Sequence, residues 1–412
     1  MAGSVIAFKE AIIIDGTGRE PFPGTIVVEG DRIKDVVDGA PGSLPSSAET
    51  VECRGKTLMP GLIDAHVHIG AVEADISEQQ RRNYPTVIVI RTLKVLKECL
   101  DQGFTTVRDC GGADPGFRIA VEQGLVPGPR LSVCGRIISM TGGHGDSRLP
   151  TETHAPPLLP AGLTSVVADG VDSCRKAARE QLRQGTDFLK VMAGGGCMSP
   201  SDEIDSSQYS IDELKAVVWE AQSAGKYVAA HCYSDRSIKN SIAAGIRTIE
   251  HGNLMTEPIA RELKESGGCL VPTVAAYEVM SEMGERLGVP MRYIVKIRQA
   301  LENALEALSA AYKTGCVIGS GSDLLGPMQV YKARELELQA KVMGPMKAIV
   351  AATKINAEII GCNTLVGTLE AGKMADLILV DGDPIKDIRI LQFYNEKISM
   401  IMKGGEFYKR IN

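Results

Sequence analysis

The segment at residues 59–68, Met-Pro-Gly-Leu-Ile-Asp-Ala-His-Val-His, places His66 and His68 at a spacing suited to metal binding. Its apolar and β-branched residues predict a buried strand that begins at Pro60 and Gly61. Because successive strand side chains alternate between faces, both imidazoles point the same way. Neutral imidazole nitrogens bind divalent cations, but two ligands make an incomplete site. A His-x-His pair also occurs by chance or as a partly buried polar pair, so further ligands must come from elsewhere in the chain.

Other residues of ligand type lie in or after further apolar segments. Lys190 lies within one of them, His231 and His251 end two more, and Asp323 ends the run Gly-Ser-Gly-Ser-Asp. Each has a structural explanation as well, because a lone histidine at a strand end is usually structural and an aspartate there often caps a helix or turn. An ammonium at Lys190 would be costly to bury unless it is paired with a carboxylate or carbamylated by CO2.

The elements that must position these residues follow from the hydrophobic pattern. From residue 60 onward, apolar strands alternate with amphipathic helical segments, which predicts βα units and a parallel sheet. The clearest helices are predicted at 211–224, where Ser210 and Glu213 match a capping box, and at 293–313. Strands are predicted at 62–68, 104–108, 131–137, 188–192, 227–231, 248–251, 269–273 and 317–319. Eight such units predict a closed barrel whose functional groups lie at the carboxyl ends of the strands.

Both ends of the chain are β-like. Short strands and turns are predicted from about residue 4 to 58 and again after Gly361, and the simplest arrangement pairs them into one small β domain. The expected division is therefore a β domain of residues 1–58 and 362–412 beside a catalytic barrel of residues 59–361. Pro156, Pro157 and Pro160 predict a loop after the third barrel strand.

Composition excludes several classes of partner. The net charge is −6, with lysines and arginines scattered among acids, so the basic stripe of a nucleic-acid-binding protein is missing. No apolar run approaches the ~20 residues of a membrane helix, and the first residues do not resemble a signal peptide. The ten cysteines include no Cys-x-x-Cys pair, which favours reduced thiols. We expect a cytoplasmic protein without nucleic-acid or membrane partners.

Several segments together resemble the metal-dependent amidohydrolase superfamily. These are the opening motif at 60–68, Thr-Ile-Glu-His-Gly at 248–252, Gly-Ser-Gly-Ser-Asp at 319–323, and the return to the small β domain at 367–377. The segments at 139–146 and 231–234 resemble its imidazolonepropionase-like branch, which includes Xaa-Pro dipeptidases, related carboxypeptidases and ochratoxin-hydrolysing amidases. The resemblance implies an α/β fold, a (β/α)8 TIM barrel with a small β-sandwich domain formed from both chain termini.

The resemblance also implies a centre of two divalent metal ions. The implied contacts are His66, His68 and Asp323 on one metal, His231 and His251 on the second, and a carbamylated Lys190 bridging them. Imidazole, carboxylate and carbamate ligands favour Zn2+, with Mn2+, Fe2+ and Co2+ as alternatives. Imidazolonepropionases proper use one metal without the bridging lysine, so Lys190 argues against that activity.

The chemistry expected of such a centre is amide hydrolysis. The substrate would be an aminoacyl- or N-acyl-amino acid that loses its C-terminal residue, as in a dipeptidase or carboxypeptidase. Asp323 would pass a proton from the attacking water to the departing amine, and His144 would stabilise the oxyanion. Tyr233 would donate to the oxyanion or to the substrate carboxylate, and Arg148 and Arg236 would pair with that carboxylate. The structural alternatives are a histidine that only orders its loop, a core tyrosine and solvated arginines.

Two other readings of the chain stay open at this point. The same metal centre would serve a cyclic-amide hydrolase or a deaminase, which differ from the leading hypothesis only in the shape of the pocket. A metal-free barrel acting as a scaffold or binding protein should have lost ligands, whereas all six ligand residues are present. By analogy we expect a homo-oligomer, with an octamer as one candidate assembly.

Overall fold

The computed structural model describes residues 4–40, 42, 44–154 and 162–411. The loop predicted at Pro156, Pro157 and Pro160 lies outside the described residues. The structure is an α/β fold with one mixed sheet and two parallel sheets. All ten cysteines are free. Among the described helices, none is both long and apolar enough to cross a membrane.

The chain begins with five short strands. They are β1 (Val5–Ile13), β2 (Phe22–Glu29), β3 (Arg32–Asp38), β4 (Glu49–Glu52) and β5 (Thr57–Pro60). Strand β1 changes partner along its length, because residues 6–9 pair with β4 and residues 12–13 pair with β5. The change occurs beside Glu10, whose φ of 58° interrupts the extended backbone.

Ten strands follow, and their ladders are all parallel. They are β6 (Leu62–Val67), β7 (Phe104–Asp109), β8 (Arg130–Val133), β9 (Ile137–Ser139), β10 (Ser165–Val167), β11 (Leu189–Met192), β12 (Val228–Ser234), β13 (Thr248–Leu254), β14 (Cys269–Val271) and β15 (Val317–Ile318). One sheet has the order β6-β7-β8, and the other has the order β10-β9-β11-β12-β13-β14-β15. Their apolar residues form one large core with the surrounding helices.

Each predicted barrel strand overlaps an observed strand, but the third was predicted wrongly as one continuous element. The segment 131–137 is divided between β8, which pairs with β7, and β9, which pairs with β10 and β11. Gly135 has a φ of 68°, a left-handed conformation that turns the chain between the two strands. The next main-chain N–H, that of Arg136, donates to the side chain of Gln181 rather than to a strand.

The helices confirm the two clearest helical predictions. They are α1 (Ile76–Arg82), α2 (Pro85–Asp101), α3 (Pro115–Glu122), α4 (Val171–Arg183), α5 (Ile211–Ser223), α6 (Asp235–Ala244), α7 (Glu257–Glu265), α8 (Val274–Met283), α9 (Met291–Thr314), α10 (Arg334–Met343), α11 (Pro345–Val350), α12 (Asn356–Ile360) and α13 (Tyr394–Lys397). Short 3-10 turns lie at Glu285–Leu287, Gly326–Tyr331 and Ile388–Gln392, and a π-helical turn lies at Ala351–Ile355. Helix α5 begins with the predicted capping box of Ser210 and Glu213.

The end of the chain returns to the first sheet. Strands β16 (Leu377–Val380), β17 (Ile398–Lys403) and β18 (Glu406–Arg410) extend it to the order β18-β17-β16-β5-β1-β2-β3, with β4 paired to β1. Its apolar side chains form a core separate from that of the parallel sheets, with Phe8, Ile26, Leu58, Leu377 and Met402 among its buried members. The predicted pairing of early with late strands is therefore observed.

Hydrogen bonds join the segment after β15 to β6. The Asn356 amide donates to the main-chain oxygens of Ile63 at 2.6 Å and Ser320 at 2.7 Å, and its oxygen accepts the Ser320 N–H at 2.9 Å. The Asp323 N–H donates to the His66 carbonyl at 2.8 Å. These bonds fix the strand that carries His66 relative to Asp323.

Replacing Asn356 by alanine should destabilise the protein by about 3 kcal/mol, because main-chain groups would remain buried without partners. Urea denaturation measures the free energy of unfolding. The exposed Asn363→Ala is the matched control and should lie within about 0.5 kcal/mol of the wild type. Equal stability of the two variants would show that the hydrogen bonds of Asn356 do not stabilise the fold.

Candidate metal centre

The predicted site residues meet in a cavity at the carboxyl ends of the parallel strands. Eight of the residues named from the sequence are found here. His66 lies directly behind the cavity, and the other seven line it: His68, His144, Lys190, His231, Tyr233, His251 and Asp323. Because they are remote in sequence, their convergence depends on the strand order of the sheets.

Asp323 lies at the centre of the histidines. Its Oδ1 atom is 3.2 Å from His68 Nε2 and 3.6 Å from His66 Nε2, and its Oδ2 atom is 3.8 Å from His251 Nδ1. The ring of His251 lies between two other histidine rings, since its centroid is 4.9 Å from that of His66 and 4.4 Å from that of His231. One carboxylate and four imidazoles therefore share one small volume.

Hydrogen bonds fix the tautomers of three of these rings. Nδ1 of His66 lies 2.6 Å from a carboxylate oxygen of Glu250, and Nδ1 of His68 lies 2.8 Å from the carbonyl oxygen of Gly111. A carboxylate and a carbonyl only accept, so both Nδ1 atoms carry the proton. His231 has the opposite tautomer, with the proton on Nε2, because its Nε2 donates to the carbonyl of Gly195 at 2.9 Å. The remaining nitrogen of each neutral ring carries a lone pair.

The donor set fits divalent cations. His66 Nε2 is buried and has no hydrogen-bond partner within the described part of the chain. The lone pair of a neutral His68 would face the Asp323 carboxylate, an arrangement that a cation between them would satisfy. Imidazole nitrogens and carboxylate oxygens are ligands that zinc and related metals prefer.

Charge at the centre is set by burial and by Lys190. Burial first, and then the positive charge of Lys190, lower the pKa of His66 well below its ordinary value. Burial alone would raise the pKa of Asp323, but the facing His66, His68 and Lys190 side chains lower it. Neutral imidazoles and an ionised carboxylate are the protonation states that bind metal.

Lys190 is buried and makes no direct ion pair with the described residues. It is 1% exposed, and no carboxylate of those residues lies within 4.0 Å of its side-chain nitrogen. A direct pairing with a carboxylate, the structural alternative raised from the sequence, is therefore not observed among them. Asp323 is a negative charge that interacts with Lys190 from farther away, since the charge of Lys190 lowers its pKa.

A buried ion pair supports His66 from behind. Glu250 is fully buried, and its carboxylate accepts from the guanidinium of Arg108 at 2.7 and 2.8 Å and from the Thr248 hydroxyl at 2.7 Å. The same carboxylate accepts the hydrogen bond from His66 Nδ1. Such outer partners fix ring orientation and raise ligand basicity.

Two of the candidate ligands have strained backbones. His251 has a φ of 73° and Asp323 has a φ of 50°, in the left-handed region that non-glycine residues rarely occupy. Each such residue costs on the order of 1–3 kcal/mol and occurs most often at functional sites.

The structure brings two further sequence candidates to the cavity. The ring of His144 stacks on that of His231 with centroids 4.3 Å apart. The ring of Tyr233 lies 4.7 Å from His231, and its hydroxyl accepts from Tyr277 at 2.8 Å and contacts the sulfur of Cys197 at 3.6 Å. Their catalytic and binding roles remain predictions.

Arg148 and Arg236 are not brought to the cavity. Arg148 makes two hydrogen bonds to the carboxylate of Asp146, at 2.5 and 2.8 Å, so its guanidinium already has a partner. Arg236 is exposed in the first turn of α6, and neither arginine lines the cavity. The structure thus gives no support to their predicted pairing with substrate.

Sequence reasoning missed the apolar wall of the cavity. Tyr277 and Cys197 stand near Tyr233, and the remaining wall consists of Ile76, Leu163, Met192, Met198, Ala276, Met280, Ile297 and Leu325. Most of these residues lie on helices or loops, where an apolar residue carries no functional signal. The one available clue was that α8 directly follows β14 and so begins at the same rim.

Comparisons with known proteins agree with this geometry. A model of the Amidohydrolase family matches residues 57–407. The ochratoxinase of Aspergillus niger is 31% identical over 422 aligned positions, which cover 97% of this chain and 85% of that protein. A prolidase crystallised with N-methylphosphonate-L-proline superposes with a TM-score of 0.95 at 36% identity, covering 99% of this chain and 100% of the other. A Xaa-Pro dipeptidase with methionine in its active site superposes with a TM-score of 0.89 at 28% identity, covering 98% and 100%.

Thr273→Val should weaken divalent-metal binding about 10-fold to 100-fold, because His251 Nδ1 would lose the hydroxyl that lies 2.8 Å away. Titration of the metal-free protein with Zn2+ against a competing chelator measures the change. The exposed Thr364→Val serves as the control and should bind as the wild type does. Unchanged affinity in Thr273→Val would argue against His251 as a ligand.

Proposed function

The chain belongs to the amidohydrolase family and is a hydrolase that acts on amide bonds, and from this premise we propose that it is a binuclear metal enzyme. Its proposed reaction is the hydrolysis of aminoacyl- or N-acyl-amino acids with release of the C-terminal amino acid. The observation that carries the proposal is the buried convergence of four imidazoles, Asp323 and Lys190, in which His66 Nε2 has no hydrogen-bond partner among the described residues.

The proposed ligand sets divide the cavity in two. The sets are His66, His68 and Asp323 for one ion, His231 and His251 for the other, and a carbamylated Lys190 between them. Carbon dioxide adds to the neutral lysine amine, and one proton is released as the carbamate forms. Charge supports this step, because two divalent cations bring four positive charges against the single carboxylate of Asp323, and an ammonium would add a fifth. Zinc is the proposed metal, with manganese, iron or cobalt as alternatives.

The chain's own groups are placed for proton transfer. When bound, the metal ions would supply Lewis acidity that lowers the pKa of a water molecule and polarises the amide carbonyl. Asp323 lies between His68 and His251, where its carboxylate can accept the proton of the attacking water and deliver it to the departing amine. His144 and Tyr233 face the same volume and are proposed as donors to the oxyanion or to the substrate carboxylate.

Two observations support the proposed substrate class. The first is the set of similar proteins, which includes a prolidase crystallised with N-methylphosphonate-L-proline and a Xaa-Pro dipeptidase. Both names indicate substrates in which an amino acid is the part released from an amide bond. The rest of the cavity lining is largely apolar and includes the methionines Met192, Met198 and Met280. A small-molecule amide or dipeptide with apolar groups matches such a lining, since methionine adapts to varied apolar shapes.

We also propose the finer architecture that the family implies. The two parallel sheets would close into a (β/α)8 barrel of residues 59–361, and support comes from the bonds between β6 and the segment after β15. The mixed sheet would fold as a β-sandwich domain of residues 1–58 and 362–412, supported by the divided pairing of β1. A cytoplasmic homo-oligomer, with an octamer as one form, remains part of this proposal.

Removal of metal should abolish activity. Dialysis against a chelator is expected to leave inactive protein, and Zn2+ should restore both activity and about two ions per chain as measured by mass spectrometry. Lys190→Ala should bind fewer ions and lose at least about 100-fold in kcat/KM, with partial rescue by added propionate as a replacement carboxylate.

The matched control for this prediction is Lys215→Ala, an exposed lysine on α5. It should keep both ions and full activity. Retention of two ions and full activity in Lys190→Ala would show that the lysine does not bridge the metals.

A panel of amides tests the substrate class. N-acetyl-L-methionine, N-acetyl-L-phenylalanine and L-methionyl-L-proline should be cleaved with kcat/KM at least about 100-fold above that for N-acetyl-L-aspartate, because the apolar wall offers no partner for a buried charge. Dihydroorotate and adenosine represent the cyclic-amide and deaminase alternatives. Faster turnover of either compound would replace the present proposal.

A further inference from the structure

The loop that follows β11 encloses His144. The His144 main-chain N–H donates to Oε1 of Gln208 at 3.0 Å, and its Nδ1 lies 2.8 Å from the hydroxyl oxygen of Ser199. Gly196 lies against the ring, where an added Cβ would come within 2.1 Å of His144 Cε1. The stacked His231 covers the ring as well. The imidazole therefore has one available orientation.

The hydrogen bonds of Ser199 decide where the His144 proton lies. The Ser199 hydroxyl has a single proton, which it donates to Oδ1 of Asp202. Its oxygen can then only accept from His144 Nδ1, which must carry a proton. The remaining ring nitrogen, Nε2, is left for a group in the cavity that His144 lines.

Asp202 is a buried anion with only donors around it. Its side chain is 4% exposed, and its Oδ2 accepts from the Gly196 N–H at 2.9 Å and the Gln208 amide at 3.0 Å. The same oxygen lies 3.6 Å from His144 Nδ1. Burial alone would raise the pKa of Asp202, but its interactions with His144 and Ser199 lower it. A fixed negative charge therefore lies beside the Nδ1 edge of the ring, on the side away from the cavity that Nε2 is left to face.

We propose that Asp202, acting through Ser199, is a positioning residue that fixes the orientation of His144 and its Nδ1 proton, so that Nε2 faces the reacting group in the cavity. This inference rests on the proposed amide hydrolysis and on the role of His144 in it. Neither Asp202 nor Ser199 touches the substrate in this arrangement. Asp202 therefore acts on turnover by fixing the proton and the orientation of His144.

The loop itself does not depend on the Asp202 charge. Lys296 on α9 donates to the main-chain oxygens of Asp202 at 2.7 Å and Ser199 at 3.2 Å. Its nitrogen stays 3.8 Å from Asp202 Oδ1, farther than a hydrogen bond. In Asp202→Asn the amide oxygen can still accept from Gly196 and Gln208 while the amide nitrogen faces Ser199. The substitution thus removes the charge and leaves the loop anchored.

The test is a double-mutant cycle on the metal-loaded protein with N-acetyl-L-methionine as substrate. Asp202→Asn should lower kcat on the order of 10-fold to 100-fold with KM within about threefold and metal content unchanged. In a His144→Ala background the same substitution should change kcat less than about twofold, because its target is gone. Ser199→Ala, a second variant that keeps the acid, should lower kcat in the same way.

Asp205→Asn is the matched control, since Asp205 is exposed three residues along the same loop. It should leave kcat, KM and metal content unchanged. A further loss when Asp202→Asn is added to His144→Ala would show a purely structural role and overturn the inference. So would wild-type kcat in both Asp202→Asn and Ser199→Ala while His144→Ala is impaired.

Failure of the premise gives a different result. If the metal-loaded wild type cleaves no amide of the panel, the proposed function falls and this inference falls with it. If the wild type is active and His144→Ala is equally active, amide hydrolysis stands but the role of His144, and therefore that of Asp202, is refuted.

Discussion

The structure depends on keeping several imidazoles neutral in one buried cavity. Cations in such a volume would repel one another and lose hydration, so each ring needs an acceptor on its far side that fixes the proton away from the centre. Glu250, Gly111 and Gly195 supply such acceptors to His66, His68 and His231. The acceptors come from three different strand ends or loops. These tautomers therefore exist only when all three segments are folded together, so the proposed metal binding would depend on the whole fold.

The same requirement explains the rigidity behind the cavity. Asp64 accepts the main-chain N–H groups of His66 and Ser322, and the ammonium of buried Lys332 lies 3.7 Å from it. These contacts, like those of Asn356, join β6 to the segment after β15. The left-handed backbone of Asp323 is strained, and only such a tightly bonded surround keeps a strained residue in place. With this backbone conformation, the Asp323 carboxylate lies within 4 Å of ring nitrogens of three histidines.

Sequence predicted the centre better than its surroundings, and the reason is physical. A strand periodicity locates the end of a strand, and the strand ends of parallel units meet at one rim, so His231 and His251 could be placed without coordinates. Nothing comparable locates Ser199 and Asp202, which depend on how one loop folds over another. The break at Gly135 was missed because an apolar run does not record a change of partner. Arg148 was expected near the substrate because its loop was placed near the mouth of the cavity, whereas its guanidinium is hydrogen-bonded to the adjacent Asp146.

The residues proposed for the chemistry and those proposed for substrate selection lie on different parts of the fold. Most of the proposed ligands lie within strands, where a shift of one residue would turn a side chain to the opposite face and destroy the proposed centre. The apolar wall is built largely from loops and helices, among them Met198, Met280 and Ile297, and these side chains make no hydrogen bond that the centre requires. Under the proposed function, substitutions there would change which acyl or amino-acid group fits while leaving the proposed proton transfer at Asp323 intact. His144 belongs to both regions, since its ring stacks on a strand histidine while its Nδ1 proton is held by a loop. In the proposed reaction it is therefore the residue through which the fold of the loops would act on the rate.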